Sequence, residues 1–238
     1  FEMIRTVYDA ILDERVIAYY QPIVDNQTRK IAKYETLVRL IDMKNNVLSP
    51  FAFLDIAKKG RLYPYVTRAV FRQAFERFQN RSESFSLNIE PEDITNPATN
   101  AFMLEMVDMF SDPTRIVVEI VESQLLEQNH VFETFLRELK KKGCRISIDD
   151  FGTGYSNFEY LLRLNADIIK IDGSLIKNID SNEENRIIVE SIVQFSHKMG
   201  METVAEFVSS EAIYNIVNSM GITYSQGYYF GKPEATFA

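Results

Sequence analysis

The stretch KKKGCRISIDDFGTGYS, residues 140–156, carries the pattern that decides the fold. A basic helix end leads to Gly143, a residue type that suits the left-handed position just after a helix. A short β-rich run follows and ends at Asp149, where the apolar pattern stops. Helix, glycine, strand and one polar group thus follow one another in a single short unit.

The same unit recurs further along the chain. Gly200 lies six residues before Glu206, and Gly221 lies five residues before Gln226. In both places the residues between are β-rich. The repetition predicts that the polar side chains lie at similar depths, at the ends of neighbouring strands.

Alternating periodicities extend this pattern over the whole chain. Helical spacing predicts helices over Glu2–Leu12, Pro50–Lys59, Pro64–Gln79, Pro97–Phe110, His130–Lys142, Asn157–Leu164, Glu183–Met199 and Ser210–Met220. Strand-like runs cover Val16–Val24, Ile31–Ile41, Phe85–Ile89, Ile116–Val121, Arg145–Asp149, Ile168–Ile171, Thr203–Val208 and Thr223–Phe230. Strands that alternate mostly with helices favour an α/β barrel, with a doubly wound open sheet as the alternative.

Polar residues inside apolar strands favour the barrel. One such residue interrupts or ends each of six predicted strands: Glu35, Asn88, Glu119, Asp149, Lys170 and Glu206. The carboxyl ends of parallel barrel strands meet at one face, so these groups would converge there. Charges scattered over a solvated rim are the alternative, but such charges would not need to lie within apolar strands.

Composition limits the chemistry of such a site. The 238 residues carry a formal net charge of −8, which disfavours general DNA or RNA binding and contact with an anionic membrane. One cysteine and two histidines almost exclude a thiolate or imidazole metal centre. Carboxylate and amide oxygens remain, and Mg²⁺ and Mn²⁺ prefer these ligands.

Asp149 and Asp150 are adjacent, and neighbouring residues of a regular strand point to opposite faces. Both can serve one site only if the chain bends, which Gly152 and Gly154 permit. Two carboxylates held close together repel each other unless they are protonated or bind a cation. Bound Mg²⁺ or Mn²⁺ is therefore the favoured interpretation, and a simple turn is the alternative.

Other motifs fit the same kind of site. Glu35 and Arg39 share one strand face, which would place a carboxylate deep in the barrel mouth and a guanidinium nearer the rim. Glu119 and Glu122 are three residues apart, so we expect one to face the site and the other to support it from beyond the strand end. Lys170 would orient water or stabilise charge. Surface or barrel salt bridges are the alternatives for these pairs.

Taken in order, these motifs resemble the bacterial EAL domain, whose members hydrolyse cyclic di-GMP. The resemblance runs from about Tyr19 to Pro233 and rests on Gln21–Asp25, Glu35–Arg39, Ser49–Pro50, Leu87–Ile89, Glu119–Ser123, Asp149–Ser156, Lys170–Asp172, Ala205–Glu206 and Gln226–Tyr228. The Asp149–Ser156 segment is specific, whereas a lone Glu-x-Leu is weak.

The resemblance implies a modified TIM (βα)8 barrel in which the first strand runs antiparallel. It also implies hydrolysis of cyclic di-GMP to linear 5′-pGpG with two Mg²⁺ or Mn²⁺ ions. The metal ligands would be Glu35, Asn88, Glu119, Asp149, Asp150 and Glu206. The catalytic set would be Lys170, Glu206, Asp149 and Asp150, and the substrate-binding set would be Gln21, Glu35, Leu37, Arg39 and Gln226.

The resemblance further implies that Glu122 holds the loop from Asp150 to Asn157, which would link the metal site to a homodimer interface. We expect a single domain over residues 1–238, with residues 1–14 leading as a helix from an upstream sensory or diguanylate-cyclase-type domain. No apolar run suggests a membrane span or a signal peptide, so we expect a cytoplasmic segment, whose parent protein can still be membrane-attached.

Three positions depart from the family pattern. Thr36 replaces the alanine of the naming motif, and Phe207 and Ser209 stand where the family commonly has Gly and Glu. These changes leave the level of turnover open. An active phosphodiesterase is the favoured hypothesis. A silent domain that binds cyclic di-GMP or another protein is the alternative, followed by an unrelated metal-dependent barrel enzyme.

Overall fold

The structure, a computed structural model, describes residues 2–126, 130–152 and 158–237. Helices within these ranges are α1 Glu2–Leu12, α2 Pro50–Lys59, α3 Tyr63–Phe78, α4 Pro91–Thr95, α5 Pro97–Met109, α6 His130–Lys141, α7 Phe158–Leu164, α8 Gly173–Ile176, α9 Glu183–Lys198 and α10 Glu211–Ser219. Short 3₁₀ helices cover Pro113–Arg115 and Glu122–Leu126. The strands are β1 Val16–Asp25, β2 Ile31–Ile41, β3 Val47–Leu48, β4 Ser84–Asn88, β5 Ile116–Val121, β6 Arg145–Phe151, β7 Ile168–Ile171, β8 Glu202–Ala205 and β9 Tyr224–Gln226.

Eight of these strands form a closed barrel. Neighbours follow the order β1-β9-β8-β7-β6-β5-β4-β2, and pairing of β1 with β2 closes the ring. β1 is antiparallel to both neighbours, whereas the pairs from β2 through β4 to β9 are parallel. The barrel prediction is confirmed, including the antiparallel first strand, and the open sheet is wrong.

The predicted helices agree with the structure to within two residues at described ends, whereas short elements were not predicted. β3 is a two-residue strand that pairs with the end of β2 outside the ring. α4 and α8 span five and four residues, too few to show a helical period in the sequence. Conversely, β8 and β9 are shorter than their predicted runs, because Glu206 and Gly227 already lie in the loops that follow them.

Glycines end three of the helices as the repeated unit predicts. Gly143, Gly200 and Gly221 have φ values of 104°, 72° and 78°, a left-handed conformation in which a side chain would be strained. Each glycine turns the chain towards the next strand. This turn starts β6, β8 and β9 at the same end of the barrel.

A small apolar cluster inside the barrel supports the functional end. Val117, Ile168 and Val204 are 1% exposed and pack with Ile23. Along β5 and β7, Val117 and Ile168 lie two residues before Glu119 and Lys170, so side-chain alternation places them on the same inward face. The charged groups therefore lie next to a layer of apolar side chains inside the barrel.

The large core lies between the barrel and its helices. Phe78 stacks on Phe85 with ring centroids 4.6 Å apart, and Phe75 and Phe110 contact Phe85 edge-on. These rings join α3 and the end of α5 to β4. Among the described helices, none is both long and apolar enough to cross a lipid bilayer.

Candidate active site

Lys170 lies at the centre of a cluster of carboxylates at the carboxyl ends of the barrel strands. Its Nζ atom is 2.9 Å from Glu119, 3.0 Å from Asp149, 3.0 Å from Glu206 and 3.3 Å from Glu35. The lysine side chain is 1% exposed. Three strands, β2, β5 and β6, and the loop just after β8 thus contribute acids to one ammonium group.

The electrostatics of Lys170 follow from this arrangement. Burial lowers its pKa, but the surrounding carboxylates outweigh burial and hold the pKa well above the ordinary value for lysine. Lys170 therefore stays protonated over the physiological range and acts as a hydrogen-bond donor. A proton-accepting role would require the neutral amine, which this environment disfavours.

The carboxylates differ in how far Lys170 and neighbouring hydrogen bonds offset the effect of burial on their pKa values. Burial raises the pKa of Glu35, but Lys170 and the amides of Gln226 and Asn88 outweigh it and hold the pKa below its ordinary value. Burial raises the pKa of Glu119 to about 8, and Lys170 offsets this only in part. Burial also raises the pKa of Glu206 well above its ordinary value. One lysine therefore does not neutralise the cluster.

Asp149 and Asp150 both serve this end of the barrel because β6 is irregular. The register between β6 and β7 shifts between Ile148 and Phe151, and Asp150 itself has a φ of 55°. The predicted bend is therefore found, and it begins at Asp150, before Gly152; Gly154 lies outside the described residues. Burial, together with Asp149 and Asp172, raises the pKa of Asp150 to about 6.

Two amide side chains orient Glu35, and a third, Gln21, contacts one of them. Asn88 Nδ2 donates to its Oε1 at 3.1 Å, and Gln226 Nε2 donates to its Oε2 at 2.6 Å. Gln226 Nε2 also donates to Gln21 Oε1 at 3.1 Å, and Gln21 Nε2 donates to the Gly231 carbonyl at 3.1 Å. The predicted residues of β1, β2, β4 and β9 thus form one hydrogen-bonded network.

Two overlapping groups of carboxylates have the geometry of cation sites. One oxygen each from Glu35, Glu119 and Asp149 lie within 4.8 Å of one another, and so do oxygens of Asp149, Asp150 and Glu206. Asp149 belongs to both groups. All donors are carboxylate oxygens, which fit a hard divalent cation. Burial, together with the neighbouring carboxylates, raises the pKa of Glu119 and of Asp150, and a bound cation would oppose both shifts.

The remaining predicted residues lie around this cluster. Leu37 and Arg39 follow Glu35 on the same face of β2 and are partly exposed, with the Arg39 guanidinium 5.3 Å from the centre of the Tyr19 ring. Glu122 is 8% exposed, just past β5, and its Oε2 accepts a hydrogen bond of 3.0 Å from Gly152 N. Residues 153–157 of the predicted dimerisation loop lie outside the described residues.

Asp172 is a neighbour of the site that is absent from the predicted set. Its carboxyl hydrogen-bonds with Asp150 and raises the pKa of that residue. Asp172 also accepts a hydrogen bond from Ser174 N at 2.7 Å, which begins α8. The spacing of two residues from Lys170 is the signal that could have included it.

The chain matches the EAL domain over residues 4–233. It belongs to the EAL domain family. The cyclic di-GMP phosphodiesterase PdeB of Shewanella oneidensis is 32% identical over 235 residues, covering 96% of this chain and 28% of that protein. PdeF of Escherichia coli, also a cyclic di-GMP phosphodiesterase, is 34% identical over 210 residues, covering 84% of this chain and 28% of its own length.

Solved EAL structures have the same fold. A MucR phosphodiesterase in complex with c-di-GMP superposes with a TM-score of 0.91 at 25% identity, covering 98% of both chains. An EAL domain protein of Listeria monocytogenes superposes with a TM-score of 0.87 at 30% identity, covering 97% of this chain and 93% of that one. The chain spans just over a quarter of the length of the two curated relatives.

Proposed function

We propose that this EAL domain is a metal-dependent phosphodiesterase that hydrolyses cyclic di-GMP to linear 5′-pGpG. The observation that carries the proposal is the convergence on Lys170 of carboxylates from β2, β5, β6 and the loop after β8. Relatives named as cyclic di-GMP phosphodiesterases, and a relative solved with c-di-GMP, support the choice of substrate.

The proposed cofactor is Mg²⁺ or Mn²⁺, as two ions, and Asp149 belongs to both groups of candidate ligands. The ligands would be Glu35, Asn88, Glu119, Asp149, Asp150 and Glu206. When bound, such ions supply positive charge that stabilises the phosphorane-like transition state and makes a nearby water more acidic. They would also compensate the charge that Lys170 leaves unbalanced, so a dianionic substrate could enter an otherwise acidic mouth.

The chain's own side chains would then bind and orient the reacting groups. Protonated Lys170 can donate a hydrogen bond to the attacking water or to a phosphate oxygen. Gln226 and Asn88 hold the Glu35 carboxylate in one orientation through amide N–H groups. Arg39, nearer the rim, can bind the second phosphate with its planar guanidinium.

The test is incubation of the purified protein with cyclic di-GMP and Mg²⁺ or Mn²⁺, followed by chromatographic separation of the nucleotides. We expect pGpG to form with the wild type and not with Glu35→Ala or Asp149→Ala. Glu105→Ala, which removes an exposed carboxylate on α5, is the matched control and should retain activity. Tight binding of cyclic di-GMP without product would favour the receptor alternative, and wild-type activity in Glu35→Ala would contradict the metal assignment.

Cation binding has a readout of its own. A ligand that binds only the folded state at 100 times its dissociation constant stabilises it by about 2.7 kcal/mol. Mg²⁺ or Mn²⁺ should therefore raise the melting temperature of the wild type and of Glu105→Ala. It should not raise that of Asp149→Ala, which lacks the carboxylate shared by both groups.

Several predictions extend beyond the site. A homodimer through the loop from Asp150 to Asn157, and an upstream sensory or diguanylate-cyclase-type domain, stay predictions. We also propose a cytoplasmic location, on the ground that the proposed substrate is a soluble nucleotide.

A further inference from the structure

Phe207, the residue after Glu206, has a backbone conformation that glycine would adopt at lower cost. Its φ is 56°, in the left-handed region, where a bulky residue is an outlier. Burial of the side chain does not offset the cost of this conformation, because 67% of the residue is exposed. Strained residues of this kind cluster at ligand-binding and active sites.

The ring of Phe207 is supported from one side. It lies over Gly173, so closely that a β-carbon built on Gly173 would be 2.5 Å from Cγ and 2.9 Å from Cε2 of the ring. Gly173 begins α8 directly after Asp172, and Asp172 contacts Asp150. Because Gly173 has no side chain, the ring can pack directly on its backbone, beside the carboxylate cluster.

The ring of Phe207 lies at the mouth of the barrel. Val208 N donates to the Gln226 carbonyl at 3.0 Å, and Tyr229 N donates to the Val208 carbonyl at 3.1 Å, so the loops after β8 and β9 run side by side. The second loop carries Tyr228, which is 66% exposed and close enough to Arg39 to influence its pKa. Exposed aromatic rings therefore lie in adjacent loops above the carboxylates.

We propose that Phe207 binds the substrate by stacking against one of its purine bases. The inference rests on the proposed function and deepens it, because it names a specificity-determining contact of this chain. Because the ring packs on the backbone of Gly173, it has little rotational freedom to lose when a base stacks on its exposed face. Such a neutral surface attracts a base without adding to the negative charge of the mouth.

A fluorescent variant tests the contact directly. The chain contains no tryptophan, so Phe207→Trp would carry the only indole. Stopped-flow mixing with cyclic di-GMP and Mg²⁺ should change its emission before product accumulates. GMP should change it at higher concentration, whereas ribose 5-phosphate, which lacks the base, should not.

Met109→Trp is the matched control. Met109 is 65% exposed at the end of α5, near the start of β5 and thus at the opposite end of the barrel. Its emission should not respond to any of the three ligands. The same response in both variants would show that the signal does not come from the mouth, and would overturn the inference.

Kinetics test the contact without a fluorophore. Phe207→Leu keeps an apolar side chain but loses the π-face, so KM should rise about tenfold while kcat changes little. Phe207→Tyr should keep a KM near that of the wild type. An unchanged KM in Phe207→Leu overturns the inference. So does a Phe207→Trp protein whose emission does not respond to cyclic di-GMP although the wild type is active. Either result leaves the proposed function standing. If the wild type neither binds nor hydrolyses the dinucleotide, the proposed function fails and the inference falls with it.

Discussion

Lys170 Nζ lies 2.9 Å from Glu119 Oε2, and both side chains are at most 2% exposed. A buried ion pair of this kind gains little net stability, because desolvation opposes attraction, but loss of one partner leaves an uncompensated charge. Here three more carboxylates depend on the same ammonium group. The lysine is therefore a structural requirement of the cluster as well as part of its proposed chemistry.

Replacement of Lys170 should destabilise the protein when no divalent cation is added. Lys170→Met should lower the free energy of unfolding by about 3–5 kcal/mol, because buried acids lose their counter-charge. Urea denaturation followed by circular dichroism measures this loss. Mg²⁺ should restore part of it, since a cation can replace the missing charge.

The matched control for this substitution is Lys177→Met, which removes an exposed lysine just after α8. It should leave the free energy of unfolding nearly unchanged. A Lys170→Met protein as stable as Lys177→Met would contradict a compensating role for Lys170.

Lys33 should make stability depend on pH at the other end of the barrel. Its Nζ lies 3.7 Å from the Tyr224 ring centre and 3.8 Å from Glu202 Oε2, and the residue is 4% exposed. Burial lowers the pKa of Lys33 to about 8, although Glu202 opposes the shift. The folded state thus disfavours the protonated form.

The sign of this effect follows from proton binding. Between about pH 8 and the ordinary lysine pKa of about 10.4, the unfolded chain holds a proton that the folded chain has released, so stability rises with pH. From pH 7 to pH 9.5, the wild type should gain about 2 kcal/mol relative to Lys33→Met. Urea denaturation of both proteins at the two pH values measures the gain, and a pH-independent difference would contradict the shift.

Glu122 should act on the site through Gly152. Its carboxylate accepts the Gly152 N–H just beyond the two aspartates, so Glu122→Ala frees the backbone next to proposed ligands. We expect Mg²⁺ affinity to fall about tenfold or more, as for other residues that orient ligands. Isothermal titration calorimetry measures the affinity. Glu122→Gln keeps an acceptor oxygen and should lie much nearer to the wild type; equal affinities for all three proteins would argue against anchoring.

Gly227 should tolerate no side chain, because its backbone touches Val208. A β-carbon there would collide with the Val208 backbone and lie 2.7 Å from its carbonyl carbon. Gly227→Ala should therefore cost about 3 kcal/mol of unfolding free energy, measured by urea denaturation.

Gly200→Ala provides the comparison for Gly227→Ala. Gly200 has a φ of 72° but no described heavy atom within 4 Å of a built β-carbon. Gly200→Ala should therefore lower the free energy of unfolding by only about 1 kcal/mol, which is the cost of the left-handed conformation. Similar losses in the two variants would contradict a close approach at Gly227.

Much of the site could be predicted because its residues follow a local rule. Each acid or amide ends or interrupts an apolar strand, and parallel strands of a barrel bring such positions to one face whatever the loop sequences are. The pair Glu119 and Glu122 illustrates this: a spacing of three already separates a residue of β5 from one just beyond it. The structure brings the first to Lys170 and the second to Gly152.

Other features depend on partners that are distant in sequence. The φ of 55° at Asp150 accompanies a register shift against β7, and the strained Phe207 depends on the bare surface of Gly173. The burial of Lys33 against Tyr224 likewise joins residues at opposite ends of the chain. Local propensity contains no information about such contacts.

The order of amino acids alone determined the alternation of helices and strands, the closed α/β architecture expected from it, and the polar residues at its strand ends. These follow from hydrophobic periodicity and from the chemistry of each residue type, which act over a few neighbouring positions. Only the tertiary structure decided that four acids share one lysine, that two adjacent aspartates reach the same end of the barrel, and that an exposed ring rests on Gly173. Those outcomes depend on strand register and close packing between distant segments, and both are set only when the barrel closes.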